Sequence, residues 1–179
     1  MNISSLTIRP ALPDDVDAIR NLADISVTTL LREFLSEEQM AETDDFNVLD
    51  PWLIDDGTYS VVLIDGRIIA SGGWSCRRAH TRGPNASDEG AEILDPEHEP
   101  ARIRAMYTHP DFARRGLGRA ILSIAEAGAR LAGFRRAELI ASGAGERLYS
   151  TCGWQVLDRP HITTRSGHTI PVAHMGKQL

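Results

Sequence analysis

One stretch, residues 102–141, constrains this chain more than any other. Residues 102–107 read as a strand, His109-Pro110-Asp111 turns the chain, and A-R-R-G-L-G at 113–118 opens a helix. On that helix Leu117, Ile121, Ile124, Gly128 and Leu131 recur at steps of four, three, four and three, which predicts one apolar face. Gly133 stands where a left-handed residue ends such a helix, and 136–141 follows as the next strand. A β-loop-α-β unit of this kind demands a sheet with a helix laid across it, so an all-helical or all-strand fold is excluded.

The flanks extend that sheet. Residues 6–9 alternate and then meet Pro10, as a short first strand would, and Asp14 caps a helix on which Val16, Ile19, Leu22 and Ala23 share a face. Ser36 followed by Glu37, Glu38 and Gln39 marks a second helix start. Asp65-Gly66 between two β-branched runs is the strongest short hairpin signal in the chain. Residues 77–101 are polar and rich in Gly and Pro, and read as a long mobile excursion. A short helix is expected over 144–152 and a closing antiparallel pair over 154–175. The fold class is mixed α/β, and 179 residues without a repeat of about 20–50 residues make one domain, 1–179.

Composition excludes several roles. No run approaches the ~18 apolar residues of a membrane span, the first ten residues lack the features of a secretory signal, and Cys76 and Cys152 alone make neither a disulfide framework nor a zinc site. A cytoplasmic protein is expected, without metal and without membrane association. The net charge of −6 argues against nucleic acid as a partner. Yet residues 101–119 hold Arg102, Arg104, Arg114, Arg115 and Arg119 against Asp111 alone, which suggests a small anionic ligand there. Residues 33–56 are the reverse: Glu33, Glu37, Glu38, Glu42, Asp44, Asp45, Asp50, Asp55 and Asp56 with no Lys or Arg.

The anionic ligand has a natural seat. Gly116 and Gly118 let main chain approach a ligand with no Cβ in the way, and the first turn of the helix offers unpaired N–H groups with a partial positive charge. No G-K-[S/T] follows, so this is not a P-loop. A dinucleotide turn finds a ribose-binding acid at the expected distance in Glu138. It lacks the third glycine, however, where Ile121 stands, and its glycines do not follow the strand directly.

M-Y-T-H-P-D-F-A-R-R-G-L-G-R-A-I-L resembles motif A of the GNAT superfamily of N-acetyltransferases: a strand, a Pro-containing turn, then Q/R-x-x-G-x-G/A opening a helix. Ala113 occupies the first motif position in place of Gln or Arg. A-S-G-A-G-E-R-L-Y-S-T-C-G-W resembles motif B, and I-R-P-A-L-P-D-D-V-D-A-I and V-A-H-M-G-K-Q-L resemble the family's first strand and helix and its final strand. The resemblance covers nearly the whole chain. It implies a mostly antiparallel central sheet with flanking helices, acetyl-CoA as co-substrate, and transfer of acetyl to a primary amine of a small molecule or peptide. Dimers are frequent in such folds, although no sequence feature decides the oligomeric state. The other readings are a non-catalytic acetyl-CoA-binding regulatory module and a nucleotide-binding oxidoreductase.

The resemblance also implies roles. The main chain of Met106, Tyr107 and Thr108 would pair with the pantetheine amides. The N–H groups of Arg114, Arg115, Gly116, Leu117, Gly118 and Arg119 would wrap the pyrophosphate, and Ser142 would lie near the cofactor. Tyr149 matches the motif B tyrosine; a phenol, with a pKa near ~10, is close enough to a thiol at ~8.5 to protonate a departing thiolate. Some relatives carry an acid where this chain has Arg102 and Arg104, so Glu138 on the neighbouring strand is the candidate base. The acidic run at 33–56 falls where the family's acceptor-side helices lie and would draw in a cationic amine.

Overall fold

The structure, a computed structural model, describes residues 6–43, 49–78, 91–164 and 166–179. Nine strands and five helices are described: β1 (Leu6–Pro10), α1 (Val16–Leu30), α2 (Glu37–Met40), α3 (Trp52–Asp55), β2 (Tyr59–Ile64), β3 (Arg67–Ser75), β4 (Ala101–Thr108), α4 (Leu117–Leu131), β5 (Arg136–Ala141), α5 (Gly143–Thr151), β6 (Gln155–Asp158), β7 (His161–Thr163), β8 (Thr169–Pro171) and β9 (Ala173–Gln178). Seven strands form one sheet in the order β1-β2-β3-β4-β5-β9-β6, and β7 pairs with β8 apart from it. Every pairing in the large sheet is antiparallel except β4 with β5, the pair joined through α4. This is the mixed α/β class that the sequence predicts.

Successive apolar residues in the central strands divide between two faces. Val61 and Ile68 pack with Ile19 and Leu22 of α1, whereas their neighbours Val62 and Ile69 pack with Ile121 of α4. Strands buried on both faces need such continuous apolar runs, and β2 and β3 supply them. Leu122, Ala125 and Ala129 of α4 continue the second layer over Ile103, Ala137 and Leu139, with Tyr149 of α5 beside them.

Local signals hold at several points. Asp65 and Gly66 have φ of 49° and 82°, the paired left-handed residues of a tight hairpin turn. Ser36 forms a capping box: Gln39 N–H donates to Ser36 Oγ at 3.2 Å, and Ser36 N–H donates to Gln39 Oε1 at 2.9 Å. Gly133 has φ of 94° just beyond α4.

Three expectations need correction. The buried face of α4 is Ile121, Leu122, Ala125, Glu126 and Ala129, while Leu131 is 90% exposed and Ile124 is partly exposed. Positions seven apart drift round a helix of 3.6 residues per turn, and this one lies close to the sheet on small residues. Gly128 does face inward, where a Cβ would stand 2.5 Å from Trp74 Nε1. Asp14 is not the cap of α1: a 3₁₀ turn over Pro13–Asp15 intervenes, and the Asp15 carboxylate takes two hydrogen bonds from Arg9 instead. The closing pair is four short strands, with β9 inserted between β5 and β6. Of the polar excursion, 79–90 lie outside the described residues; beyond them Arg77 bridges to Ile93, and Leu94 is buried.

Candidate active site

The parallel pairing of β4 with β5 is two rungs long, Ala101 with Ala137 and Arg102 with Glu138. Beyond them the strands part, and the edge of β4 from Ile103 to Thr108 faces a gap inside the sheet. A local irregularity accompanies the parting. On β3, Ser71 and Gly73 are two residues apart, while their partners on β4, Tyr107 and Arg104, are three apart, so β4 carries one extra residue. Ala105 takes the strained left-handed conformation within that bulge, with φ of 53°. The buried Tyr59 hydroxyl fixes it by donating to the Ala105 carbonyl oxygen at 2.5 Å.

The gap opens into a cleft of about 350 Å³. Met106, Tyr107, Thr108, Gly118, Ser142 and Tyr149 line it, as do Gly145 and Leu148 of α5. Six residues named from sequence on three separated segments therefore meet at one cavity. At its mouth stands the start of α4. Arg114 and Gly116 are both left-handed, with φ of 64° and 85°, and Gly116 is the N-cap. Alternation of this kind turns successive N–H groups to one side as an anion-binding nest. The first turn holds no acidic residue, and a Cβ on Gly116 would meet nothing within 4 Å, so that end is open to a ligand. Gly118 differs: a Cβ there would lie 2.9 Å from Leu148 Cδ2, so its smallness also lets α4 and α5 approach. Leu117 packs inward on the cluster containing Ile121, Arg115 lies over the Phe112 ring at 5.4 Å, and Arg114, Arg115 and Arg119 are not among the cleft-lining residues.

Tyr149 is 7% exposed and packs edge-on to Trp154 at 6.2 Å. Burial pushes its phenol above the usual range, and the nearby Tyr107 adds to the effect. Tyr107 is itself raised to about 12, chiefly by burial. Both stay protonated at neutral pH.

Glu138 stands apart from the cleft lining. Arg102 Nη1 donates to its carboxylate at 2.6 Å, and His174 Nε2 lies 3.1 Å from the same oxygen. Three members of the acidic run are engaged as well. Asp50 pairs with Arg104, and Asp56 takes two hydrogen bonds from Arg77, which lies over the Trp52 ring at 4.4 Å. Glu42 meets Ser166 and His168, and hydrogen bonding, from Thr164 foremost, holds its carboxyl below the usual range. Asp44 and Asp45 lie outside the described residues.

The rest of the cleft lining was not legible from sequence. It includes Ser26, Val27 and Leu30 of α1, Leu31 just beyond that helix, Leu35, Thr43, Ile162, Ile170, Val172 and Arg104, with the Thr108 N–H donating to Ser26 Oγ at 3.4 Å. An arginine at the middle of a central strand was the available signal, since a charge there must find a partner. Among the described residues, no cluster of three or more His, Cys, Asp or Glu side chains could hold a metal, and no helix is long and apolar enough to cross a membrane.

Residues 55–156 match a family model described as an acetyltransferase (GNAT) domain. The fold is similar to that of a GCN5-related N-acetyltransferase from Rhodopseudomonas palustris, with a TM-score of 0.73 and 20% identity, covering 100% of this chain and 99% of that one. It is similar as well to the PaiA N-acetyltransferase of Thermoplasma acidophilum in complex with coenzyme A, with a TM-score of 0.68 and 16% identity over 98% of this chain and 99% of that one. YncA, an acetyltransferase of Salmonella typhimurium with acetyl-CoA, gives 0.65 and 20% over 98% and 95% of the two chains. No curated protein sequence matches the chain. With the family model covering more than half its length and a parted β4–β5 pair beside the glycine-opened helix, the chain belongs to the GNAT acetyltransferase family.

Proposed function

We propose that the protein transfers the acetyl group of acetyl-CoA to a primary amine by direct attack in a ternary complex. The observation that carries this reading is the parting of β4 and β5 beyond Arg102 and Glu138, beside the nest at the start of α4. The exposed edge of β4 has main-chain groups to offer an extended, amide-bearing arm, and Met106, Tyr107 and Thr108 would pair with it as a neighbouring strand does. The N–H groups from Arg114 to Arg119 would hold the pyrophosphate, favoured by the helix dipole and by three arginines. Ser142, at the start of α5, would border the same arm. Coenzyme A and acetyl-CoA in the Thermoplasma and Salmonella structures support the choice of donor.

When bound, acetyl-CoA supplies the activated acyl group; the remaining work falls to this chain. A main-chain N–H at the bulge in β4 would hydrogen-bond the thioester carbonyl oxygen, where negative charge grows as the amine attacks. As the C–N bond forms and the C–S bond breaks, the Tyr149 hydroxyl would give its proton to the departing sulfur, and the phenolate would regain one from water once coenzyme A leaves. The nitrogen gives its surplus proton to water. Burial raises the phenol, but the same water-poor cleft raises the basicity of a departing thiolate too, so donor and acceptor move together. Glu138, held by Arg102 and His174, has its carboxylate committed elsewhere, and we assign the amine's proton to solvent rather than to it.

Thermal unfolding with acetyl-CoA, NAD and ATP tests the donor. Acetyl-CoA at ~100 times its dissociation constant adds about 2.7 kcal/mol, a shift of several degrees at this size. Protection by acetyl-CoA with none from NAD or ATP is the expected result; protection by NAD alone would return the glycine loop to a dinucleotide. Release of free thiol on adding an amine then separates an enzyme from a module that only binds.

A further inference from the structure

We propose that the acceptor is a single amine carried on an apolar body beside a carbonyl or carboxylate oxygen, and that Arg104 recognises that oxygen. The inference rests on the acetyl-transfer reading and names the substrate class for it. The cleft beyond the parted strands is walled chiefly by Val27, Leu30, Leu31, Leu35, Ile162 and Ile170. Arg104 is the only residue charged at neutral pH among the described residues that line the cleft; no carboxylate does. A polyamine or an aminoglycoside needs anionic partners for each extra ammonium group, and those walls would desolvate such groups without compensation. Asp50 is engaged with Arg104 and Asp56 with Arg77, and Asp24, whose charge reaches Tyr107, is not among the cleft-lining residues.

Arg104 is built for recognition rather than for charge. Its side chain is 7% exposed and Asp50 is 0% exposed, so the ion pair at 2.7 Å is neutral overall and held in one place. Asp50 is fixed in turn by the Trp52 N–H, which donates to its other oxygen at 3.0 Å. Only Nη1 of Arg104 hydrogen-bonds Asp50, and no other partner holds the guanidinium among the described residues. A planar fork with one arm committed and the rest facing a cleft presents N–H donors in a fixed plane, the geometry that suits an sp² oxygen. Asp50 keeps the site from being strongly cationic, which is why a neutral carbonyl and a carboxylate share one chemistry here.

The test is an acceptor series with one side chain: leucine, leucinamide and 3-methylbutylamine, with spermidine as the polycation. Leucine or leucinamide is expected to exceed 3-methylbutylamine in kcat/KM by at least about tenfold, and the ratio of leucine to leucinamide tells carboxylate from carbonyl. Removing Arg104 outright would strand Asp50 in the interior, so the variant is Arg104→Lys, which keeps the ion pair and loses the fork. It should keep acetyl-CoA protection in thermal unfolding and lose at least about tenfold in kcat/KM on leucine and leucinamide, with 3-methylbutylamine within about threefold. Equal losses on all three, or spermidine as the best acceptor, would overturn the inference while leaving acetyl transfer intact. No protection by acetyl-CoA in the parent protein would overturn the underlying reading instead.

Discussion

Arg102 and Glu138 are the last residues at which β4 and β5 pair, and their side chains are joined by an ion pair at 2.6 Å on the same rung. The pair clamps the two strands at the point from which they diverge, so it stands at the root of the cleft rather than inside it. Glu138→Gln is expected to lower unfolding stability by about 1–3 kcal/mol, between the values of exposed and buried pairs. In steady-state kinetics kcat should stay within about twofold of the parent. A loss above tenfold, with the acidic limb of the pH–rate profile removed, would make Glu138 the base after all.

Tyr149→Phe removes one hydroxyl and leaves the ring against Trp154. We expect kcat to fall at least about tenfold with acetyl-CoA affinity little changed, because the proton is needed only as the C–S bond breaks. Raised by burial, the phenol should remain an acid throughout the neutral range, so the parent should show no alkaline decline in kcat below about pH 10 that Tyr149 explains. An unchanged kcat, with chemistry shown to be rate-limiting, would remove the residue from the acid role.

How far the molecule was legible in its sequence depended on whether a signal was local. Asp65-Gly66, the Ser36 capping box and the glycine-opened α4 are each fixed by a few consecutive residues, and each formed as read. The cleft wall made by Met106, Tyr107, Thr108, Gly118, Ser142 and Tyr149 followed because those residues lie in contiguous motifs. The rest of the lining did not: Leu30, Thr43, Arg104 and Ile170 come from four remote segments, and only tertiary packing brings them to one cleft. The acidic run misled for the same reason. Its charges look free in sequence, yet Asp50 and Asp56 pair with Arg104 of β4 and with Arg77, two residues beyond β3. On α4 the apolar spacing picks out Ile121 and Gly128 correctly but also the exposed Ile124 and Leu131, whereas the sheet is met by Ile121, Leu122, Ala125, Gly128 and Ala129.

Stability should decline on the alkaline side. The chain has three tyrosines, and burial raises Tyr59, Tyr107 (to about 12) and Tyr149 alike. Below pH ~10 both folded and unfolded states hold these protons and the stability is fully present. Above it the unfolded chain releases them while the folded chain does not, so stability falls as pH rises toward the folded values. Cys76, also raised by burial, begins the same loss at lower pH. Urea midpoints between pH 7 and 11 should be nearly flat at first and fall steeply beyond about 10, less steeply in Tyr107→Phe. A midpoint that held constant to pH 11 would contradict this account of the buried phenols.

Gly118 couples the glycine loop to α5, and two substitutions separate its roles. Gly118→Ala adds a methyl 2.9 Å from Leu148 Cδ2, the mobile end of a side chain, and should cost only a modest part of the stability and of the acetyl-CoA affinity. Gly118→Asp makes the same steric demand and adds a carboxylate in the first turn of α4, where the helix dipole favours it in the free protein. The aspartate should therefore unfold no earlier than the alanine variant, yet bind acetyl-CoA at least about tenfold more weakly by isothermal titration, because its charge takes the place of the pyrophosphate. Affinities that fall equally in both variants would mean that Gly118 serves only to let α4 approach α5, and that the pyrophosphate lies elsewhere.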